Sequence, residues 1–230
     1  MVREPGPLLA AGRDADIFEY GPGLVLRRSR QGRDLSLEAR VMEFVRTDGF
    51  PVPAVEEVSG DGTTMVMERI EGVSMVDAMA KRPWSLRRHG ALLGDLHRRL
   101  HQIAAPEWLP DAPVGAGDRL VHMDLHPLNV MVGPHGATVI DWTGASAGEP
   151  AVDVAVAWVL IASGEVPLNR LVARVMHRAR GAFIGAFLAQ FDRAQLEGWL
   201  HQVVAWKVQD PHMSQLEQAR MWALADTVGT

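Results

Sequence analysis

Between residues 120 and 142 the chain reads LVHMDLHPLNVMVGPHGATVIDW, which sets His122, Asp124 and Asn129 in an HxDxxxxN arrangement and ends the next apolar run on Asp141. These residue types suit phosphoryl transfer. An acceptor hydroxyl has to be oriented and relieved of a proton, and a loop carboxylate within hydrogen-bond reach does both, so Asp124 is the candidate base. A triphosphate also needs Mg²⁺, a hard ion that takes oxygen ligands from one or two side chains plus phosphates and water, which suits Asn129 and Asp141. With 9 His, 15 Asp and 2 Asn in 230 residues, that spacing arises by chance with a probability on the order of one in two hundred, before Asp141 is counted. The pattern outweighs a reading of these residues as ordinary loop formers and a strand-end cap.

The segment HMDLHPLN followed by VIDW resembles the catalytic and metal-binding segments of the aminoglycoside phosphotransferase and choline kinase-like family, relatives of the protein kinases, over roughly residues 12–160. The resemblance implies an α+β, bilobal, protein-kinase-like fold with ATP or another nucleoside triphosphate in its cleft. It implies Asp124 as catalytic base, Asn129 and Asp141 as Mg²⁺ ligands, Asp153 as a buried residue steadying the catalytic loop, and a structural role for His122. Arg27 falls at the phosphate-anchoring position of the second strand, LVLRR, with Glu38 in LSLEARVMEF as its ion-pair partner. The two lysines, Lys81 and Lys207, lie elsewhere, so an arginine stands where a lysine is usual. Alternation puts Arg27 and Arg28 on opposite faces, and one of them is a solvated strand residue. By position and resemblance the Glu68 carbonyl and Ile70 amide of MVMERIEG are expected to pair with an adenine edge while Met67 packs nearby, whereas composition alone reads equally well as an edge strand running into a connector.

The chain departs from the protein-kinase pattern in two respects. Trp142 and Thr143 follow Asp141 in place of Phe and Gly, and only about ten residues separate Asp141 from the next helical pattern near Ala151, too few for an activation loop. That favours a small hydroxylated acceptor over a peptide. The glycine-rich loop is also weak, because GRDADIFEYG is bracketed by Gly12 and Gly21 with no GxGxxG, and the amides of Arg13 to Asp16 are left to cover phosphates beside two aspartates.

Two other classes use the same residues. His122, Asp124 and His126 alternate as HxDxH and with Asp141 would bind zinc or manganese for hydrolysis if they shared one strand face, against which Pro127 argues. A catalytically silent nucleotide-binding module is the other, motivated by the poor glycine loop and the missing strand lysine.

The elements that must position these residues form two lobes, 1–71 and 72–230. Residues 12–70 read as short strands around one helix: a hairpin at Gly21-Pro22-Gly23, a helix capped by Asp34 with Leu37, Val41, Phe44 and Val45 on its apolar side, then AVEEV and TTMVMERI. Near residues 70–74 a short hinge leads to a helix capped by Ser85, with Leu86, Leu92, Leu93, Leu96, Leu100 and Ile103 on one stripe. RLVHM and ATVID read as strands flanking a loop, and helices are expected over 151–163, 167–190, 193–207 and 212–226.

Composition bounds the partners. At 47% apolar residues the chain can bury a core, and its net charge of −5 offers no basic excess for nucleic acid. The absence of Cys removes disulfides, thiolate catalysis and cysteine zinc sites together. The longest apolar run, Val154 to Ala162, is about half a membrane span. No apolar signal core opens the chain, so a soluble, cytoplasmic protein is expected. From Val156 to Thr230 six acidic residues face seven basic ones, a poor match for a polycationic acceptor. Trp158, Trp199, Trp206 and Trp222 offer apolar or stacking surface but are expected mostly in the core, and the charge balance leaves room for a neutral, hydroxylated or partly apolar acceptor.

Overall fold

The computed structural model describes residues 4–12, 14–164 and 170–228, with the backbone alone for 170–178 and 228. The chain forms two compact units, each discontinuous in sequence: Met1–Val73 with Val130–Thr143, and Ser74–Asn129 with Gly144–Thr230.

The first unit holds β1 (Leu8–Ala11), β2 (Ala15–Gly21), β3 (Leu24–Ser29), α1 (Ser36–Thr47), β4 (Val55–Val58) and β5 (Thr64–Glu68). The strands make an antiparallel sheet of order β1-β2-β3-β5-β4. The β2–β3 hairpin turns where Gly-Pro-Gly predicts it, with φ of 126° at Gly21 and 71° at Gly23, values that favour glycine. β1 was not expected, because Leu-Leu-Ala-Ala carries no alternation and all four residues are exposed.

Register places Arg27 of the central strand β3 between Ile17 of β2 and Met65 of β5. Asp34 Oδ1 accepts the Ser36 amide at 2.8 Å and so closes the turn before α1, while Leu35 occupies the cap position itself. The apolar stripe of α1 is rotated from the expected one. Leu37 is 42% exposed, whereas Glu38 is buried with Ala39, Val41, Met42 and Val45. The rotation follows from Glu38, which turns inward to meet Arg27. A hairpin of Val130–Gly133 and Gly136–Val139 completes this unit, so residues 130–133, expected as loop, are strand, and Pro134 sits in the turn where it removes no ladder donor.

The second unit is mainly helical. It contains α2 (Met75–Lys81), α3 (Leu86–Leu100), a short antiparallel pair of Arg119–Val121 with Ser146–Gly148, α4 (Pro150–Ser163), α5 (Arg170–Leu188), α6 (Arg193–Glu197), α7 (Leu200–Lys207) and α8 (Gln215–Val228). Every residue of α4 from Ala151 to Val159 is buried, which makes it the axis of the core. Apart from Asp153 and Ser163 its sequence is apolar all round, as a helix packed on every side requires. α3 and α5 approach closely because Gly90 and Gly94 lie at their contact. A Cβ on Gly90 would collide with the Phe183 carbonyl, and one on Gly94 would lie 3.0 Å from the Phe187 carbonyl.

Several local expectations are corrected. Ser85 makes no cap hydrogen bond to α3, since its hydroxyl donates to the Arg82 carbonyl at 2.6 Å within a single 3₁₀ turn. Ile103 lies beyond the end of α3. The helix expected over 193–207 breaks at Gly198 and Trp199 into α6 and α7. Of the helix expected over 167–190, residues 167–169 lie outside the described residues. Among the four tryptophans only Trp158 is core, at 3% exposure, and Trp222 is 38% exposed.

The α3–α5 contact yields a direct test. Gly90→Val should cost about 1–3 kcal/mol through overpacking and lower the urea midpoint, and an unchanged midpoint would show that the two helices have room to part.

Candidate active site

In the second unit, residues 122–129 form a loop closed by its own hydrogen bonds. The His126 amide donates to the Asp124 carbonyl and the Asn129 amide to the His126 carbonyl, each at 2.9 Å. The Asn129 side-chain Nδ2 donates to both the carbonyl and the Oδ2 of Asp124, again at 2.9 Å. Two acceptors on one nitrogen fix the amide orientation, so the Asn129 Oδ1 is the atom left for a hard cation. The Leu128 amide donates to His126 Nδ1 at 3.3 Å, which makes Nε2 the protonated nitrogen, 3.5 Å from Asp124 Oδ2.

Asp124 retains 34% side-chain exposure, and its other oxygen, Oδ1, lies 3.7 Å from the Lys207 ammonium. Partial burial pushes the Asp124 carboxyl up, but His126, then Lys207 and His122, more than offset it and hold it below the ordinary aspartate value. The group is a carboxylate at neutral pH. Met123, immediately before it, has φ of 61°, a conformation that costs a bulky non-glycine residue about 1–3 kcal/mol.

Asp153 of α4 holds that bend. It is 0% exposed, and its carboxylate accepts the backbone amides of Met123 at 2.7 Å and His122 at 3.2 Å. His101 Nε2 donates to it at 2.9 Å, and His97 Nδ1 lies 3.4 Å away. The other nitrogen of His97 donates to the Leu125 carbonyl at 3.0 Å. Asp124 is therefore braced through the residues on both sides of it. Burial opposes the charge on Asp153, but the hydrogen bonds and proximity of His101 and His97 outweigh it and keep the carboxyl well below the usual range. Burial lowers His101 against the pull of Asp153, so its imidazole stays neutral at neutral pH.

In the first unit, Arg27 is buried at 7% exposure while Arg28 faces outward, its guanidinium 4.9 Å from the Phe18 ring centre. Alternation on β3 is thus resolved with Arg27 inward. Arg27 Nη1 lies 3.2 Å from Glu38 Oε1, and its Nη2 donates to Asp141 Oδ1 at 3.1 Å. Burial works against the Arg27 charge, yet Glu38 and Asp141 overcome it and hold the guanidinium more firmly protonated than usual. Burial also pushes the Glu38 carboxyl up to about 7, against the pull of Arg27 and with a further upward push from Asp141.

Asp141 has φ of 64° and accepts the Thr143 hydroxyl on the same Oδ1 at 3.0 Å, leaving Oδ2 for a cation. Trp142, at 1% exposure, locks this turn. Its amide donates to Glu38 Oε1 at 3.2 Å, its indole to the Val139 carbonyl at 3.2 Å, and its ring meets Phe50 edge-on with centres 5.6 Å apart. Met67 is buried in β5, Glu68 ends that strand with its carboxylate on the Ala54 amide at 3.1 Å, and Ile70 lies just beyond, half-buried. Asp16 of the glycine-poor loop is paired with Arg30 at 2.7 Å, and Arg13 lies outside the described residues.

His122 and His126 do not join Asp124 as a metal cluster. Among the described residues the grouping whose ligand atoms lie within 4.8 Å of one another is His97, His101 and Asp153. His97, His101 and Lys207 are neighbours of the candidate site that motif reading does not reach. The repeated Leu-His of Leu96-His97 and Leu100-His101 is the one sequence signal that could have drawn attention to the histidines. Among the described residues no helix is long and apolar enough to cross a membrane, and helix α4 starts at Pro150, so the segment after Asp141 is as short as its sequence implies.

The fold is shared with solved structures of kinases and phosphotransferases. A choline/ethanolamine kinase family protein from Mesorhizobium loti is 17% identical with a TM-score of 0.61, covering 97% of this chain and 88% of that one. The ADP-bound aminoglycoside phosphotransferase APH(2'')-Ib is 12% identical with a TM-score of 0.62, covering 99% and 93%. The amicoumacin kinase hAmiN, in complex with AMP-PNP, Ca²⁺ and Ami, is 14% identical with a TM-score of 0.56, covering 96% and 87%. At these identities the likeness defines an α+β, protein-kinase-like fold. The chain belongs to the phosphotransferase enzyme family APH, whose model matches residues 8–119 and 105–199. No curated protein sequence matches it.

The buried Glu38 gives a pH signature. Its folded-state pKa of about 7 lies above the ordinary 4.5, so the ionised form costs stability that is intact at low pH and lost as pH rises through 7. Glu38→Gln, which cannot ionise, should therefore gain on wild type between pH 4.5 and 7 by on the order of 3 kcal/mol. A pH-independent difference in urea stability would contradict this.

Proposed function

We propose that the protein is an ATP-dependent O-phosphotransferase acting on the hydroxyl of a small molecule, with ATP or another nucleoside triphosphate as donor and Mg²⁺ as its ion. Asp124 is the catalytic base. Its Oδ1 takes the proton of the acceptor alcohol as the alcohol oxygen bonds to the γ-phosphorus and the bond from that phosphorus to the β–γ bridging oxygen breaks, releasing ADP. Asn129 Oδ1 and Asp141 Oδ2 would hold the ion, which when bound neutralises charge on the phosphate oxygens. Both are oxygen donors of the hard kind that Mg²⁺ takes, and both are left over by the local hydrogen bonding.

Arg27 anchors phosphate oxygens, with Glu38 orienting it. An arginine here presents a planar fork that can bridge two oxygens and stays charged at every working pH. Met67, Glu68 and Ile70 border the nucleotide base. The observation that carries the reading is the ionised, one-third exposed Asp124, with one oxygen committed to Asn129 and the other facing only the Lys207 ammonium at 3.7 Å, on a bend that Asp153 holds under strain. Family membership and the nucleotide complexes of proteins with the same fold support it.

A screen of hydroxylated antibiotics, amino alcohols and sugars for acceptor-dependent ADP release tests activity and substrate class together. Asp124→Asn should lower turnover by about 10²–10⁴-fold while leaving nucleotide affinity largely intact. Wild-type turnover in that variant would remove Asp124 as the base. Arg27→Ala should weaken ATP use, and wild-type kinetics there would mean that another cation holds the phosphates.

A further inference from the structure

Lys207, one of two lysines in the chain, ends α7 with only 11% of its side chain exposed. Its Nζ lies 3.7 Å from Asp124 Oδ1, 3.6 Å from Asp210 Oδ2 and 5.4 Å from the centre of the half-buried Trp206 ring. Asp124 Oδ2 is already taken by Asn129 at 2.9 Å. A hydroxyl that gives its proton to Asp124 must therefore come to Oδ1, the oxygen beside Lys207.

We infer that Lys207 selects the acceptor by charge, occupying from within the chain the two carboxylates that an ammonium-bearing alcohol would use, so that the site takes neutral or acidic alcohols and disfavours polyamines. This selection rests on Asp124 being the base. An uncharged hydroxyl has only to share Oδ1 with the ammonium, and an acidic acceptor gains a partner in it. A polyamine has to displace Lys207 from Asp124 and Asp210 together, and the freed lysine then repels it.

Three other carboxylates of the C-terminal helices, Asp192, Glu197 and Glu217, are engaged locally and are poor replacements for the pair that Lys207 holds. Asp192 accepts the Ala194 amide at 3.0 Å, Glu197 pairs with Arg193 at 2.7 Å, and Glu217 accepts the Ser214 amide at 3.1 Å. Trp206 adds an apolar wall beside the ammonium, which suits an alcohol with a hydrocarbon face.

The test is calorimetric binding of gentamicin, a polyamino sugar, to the full-length protein. Lys207→Gln and Lys207→Met should bind it at least tenfold more tightly than wild type. Lys207→Arg, which keeps the charge, should match wild type, and adding Asp210→Asn to Lys207→Gln should reverse most of the gain. Two neutral variants guard against one of them folding poorly. Equal affinity across the series, including no measurable binding by any member, overturns the inference. ATP hydrolysis with water as acceptor, measured on the same preparations, reports on the base separately. Wild-type hydrolysis in Asp124→Asn overturns the underlying assignment, whereas a flat gentamicin series alongside an inactive Asp124→Asn overturns the role of Lys207 alone.

Discussion

A carboxylate that never meets water organises the candidate reaction centre. Asp153 sits on the most buried helix of its unit and takes hydrogen bonds from two successive backbone amides and a histidine, with a second imidazole close by. An ionised group in that position is tolerable only because those donors replace its hydration, and removing any of them would leave a buried charge short of partners. What the arrangement supplies is geometry. It holds Met123 at a positive φ that its own side chain disfavours, and that bend leaves Asp124 one-third exposed, between Asn129 and Lys207. His97 reaches past Asp124 to the Leu125 carbonyl, so the bend is tied on its far side by the same helix.

The other unit solves a comparable problem with more charge. Arg27, Glu38 and Asp141 form a chain of one cation and two anions, two of them nearly inaccessible, and Trp142 closes it with a backbone hydrogen bond to Glu38. Such a cluster is a weak source of stability, since desolvation offsets most of the Coulomb attraction. It is better understood as a positioning device that leaves spare atoms: Asp141 keeps one oxygen uncommitted, and the Arg27 Nε and Glu38 Oε2 have no hydrogen-bond partner among the described residues.

The candidate reacting groups stand out in the sequence because the chemistry proposed for them is restricted to few residue types at fixed spacing. Asp124, Asn129 and Asp141 stand out on that ground alone, and Gly21-Pro22-Gly23 is as clear a signal for the hairpin. The α1 stripe was misplaced by one position because periodicity treats Leu37 as core and Glu38 as surface, while a long-range ion pair reverses both. Lys207 lies 83 residues from Asp124, and nothing local distinguishes a helix-terminal lysine that meets a distant carboxylate from one that meets water. His97 and His101 were hidden for the same reason, since their partner Asp153 is more than fifty residues away. The helix break at Gly198 and the strand Val130–Gly133 depend on packing that no short window contains.

The measurement closest to the central claim is the dependence of ATP affinity on Mg²⁺ in the wild-type protein and in Asp141→Ala and Asn129→Ala. If these two oxygen donors hold the ion of a phosphotransferase, magnesium tightens ATP binding in the wild type and does so much less in either variant. ATP affinity that is indifferent to magnesium in the wild type, or an equal magnesium effect in all three proteins, would contradict the account.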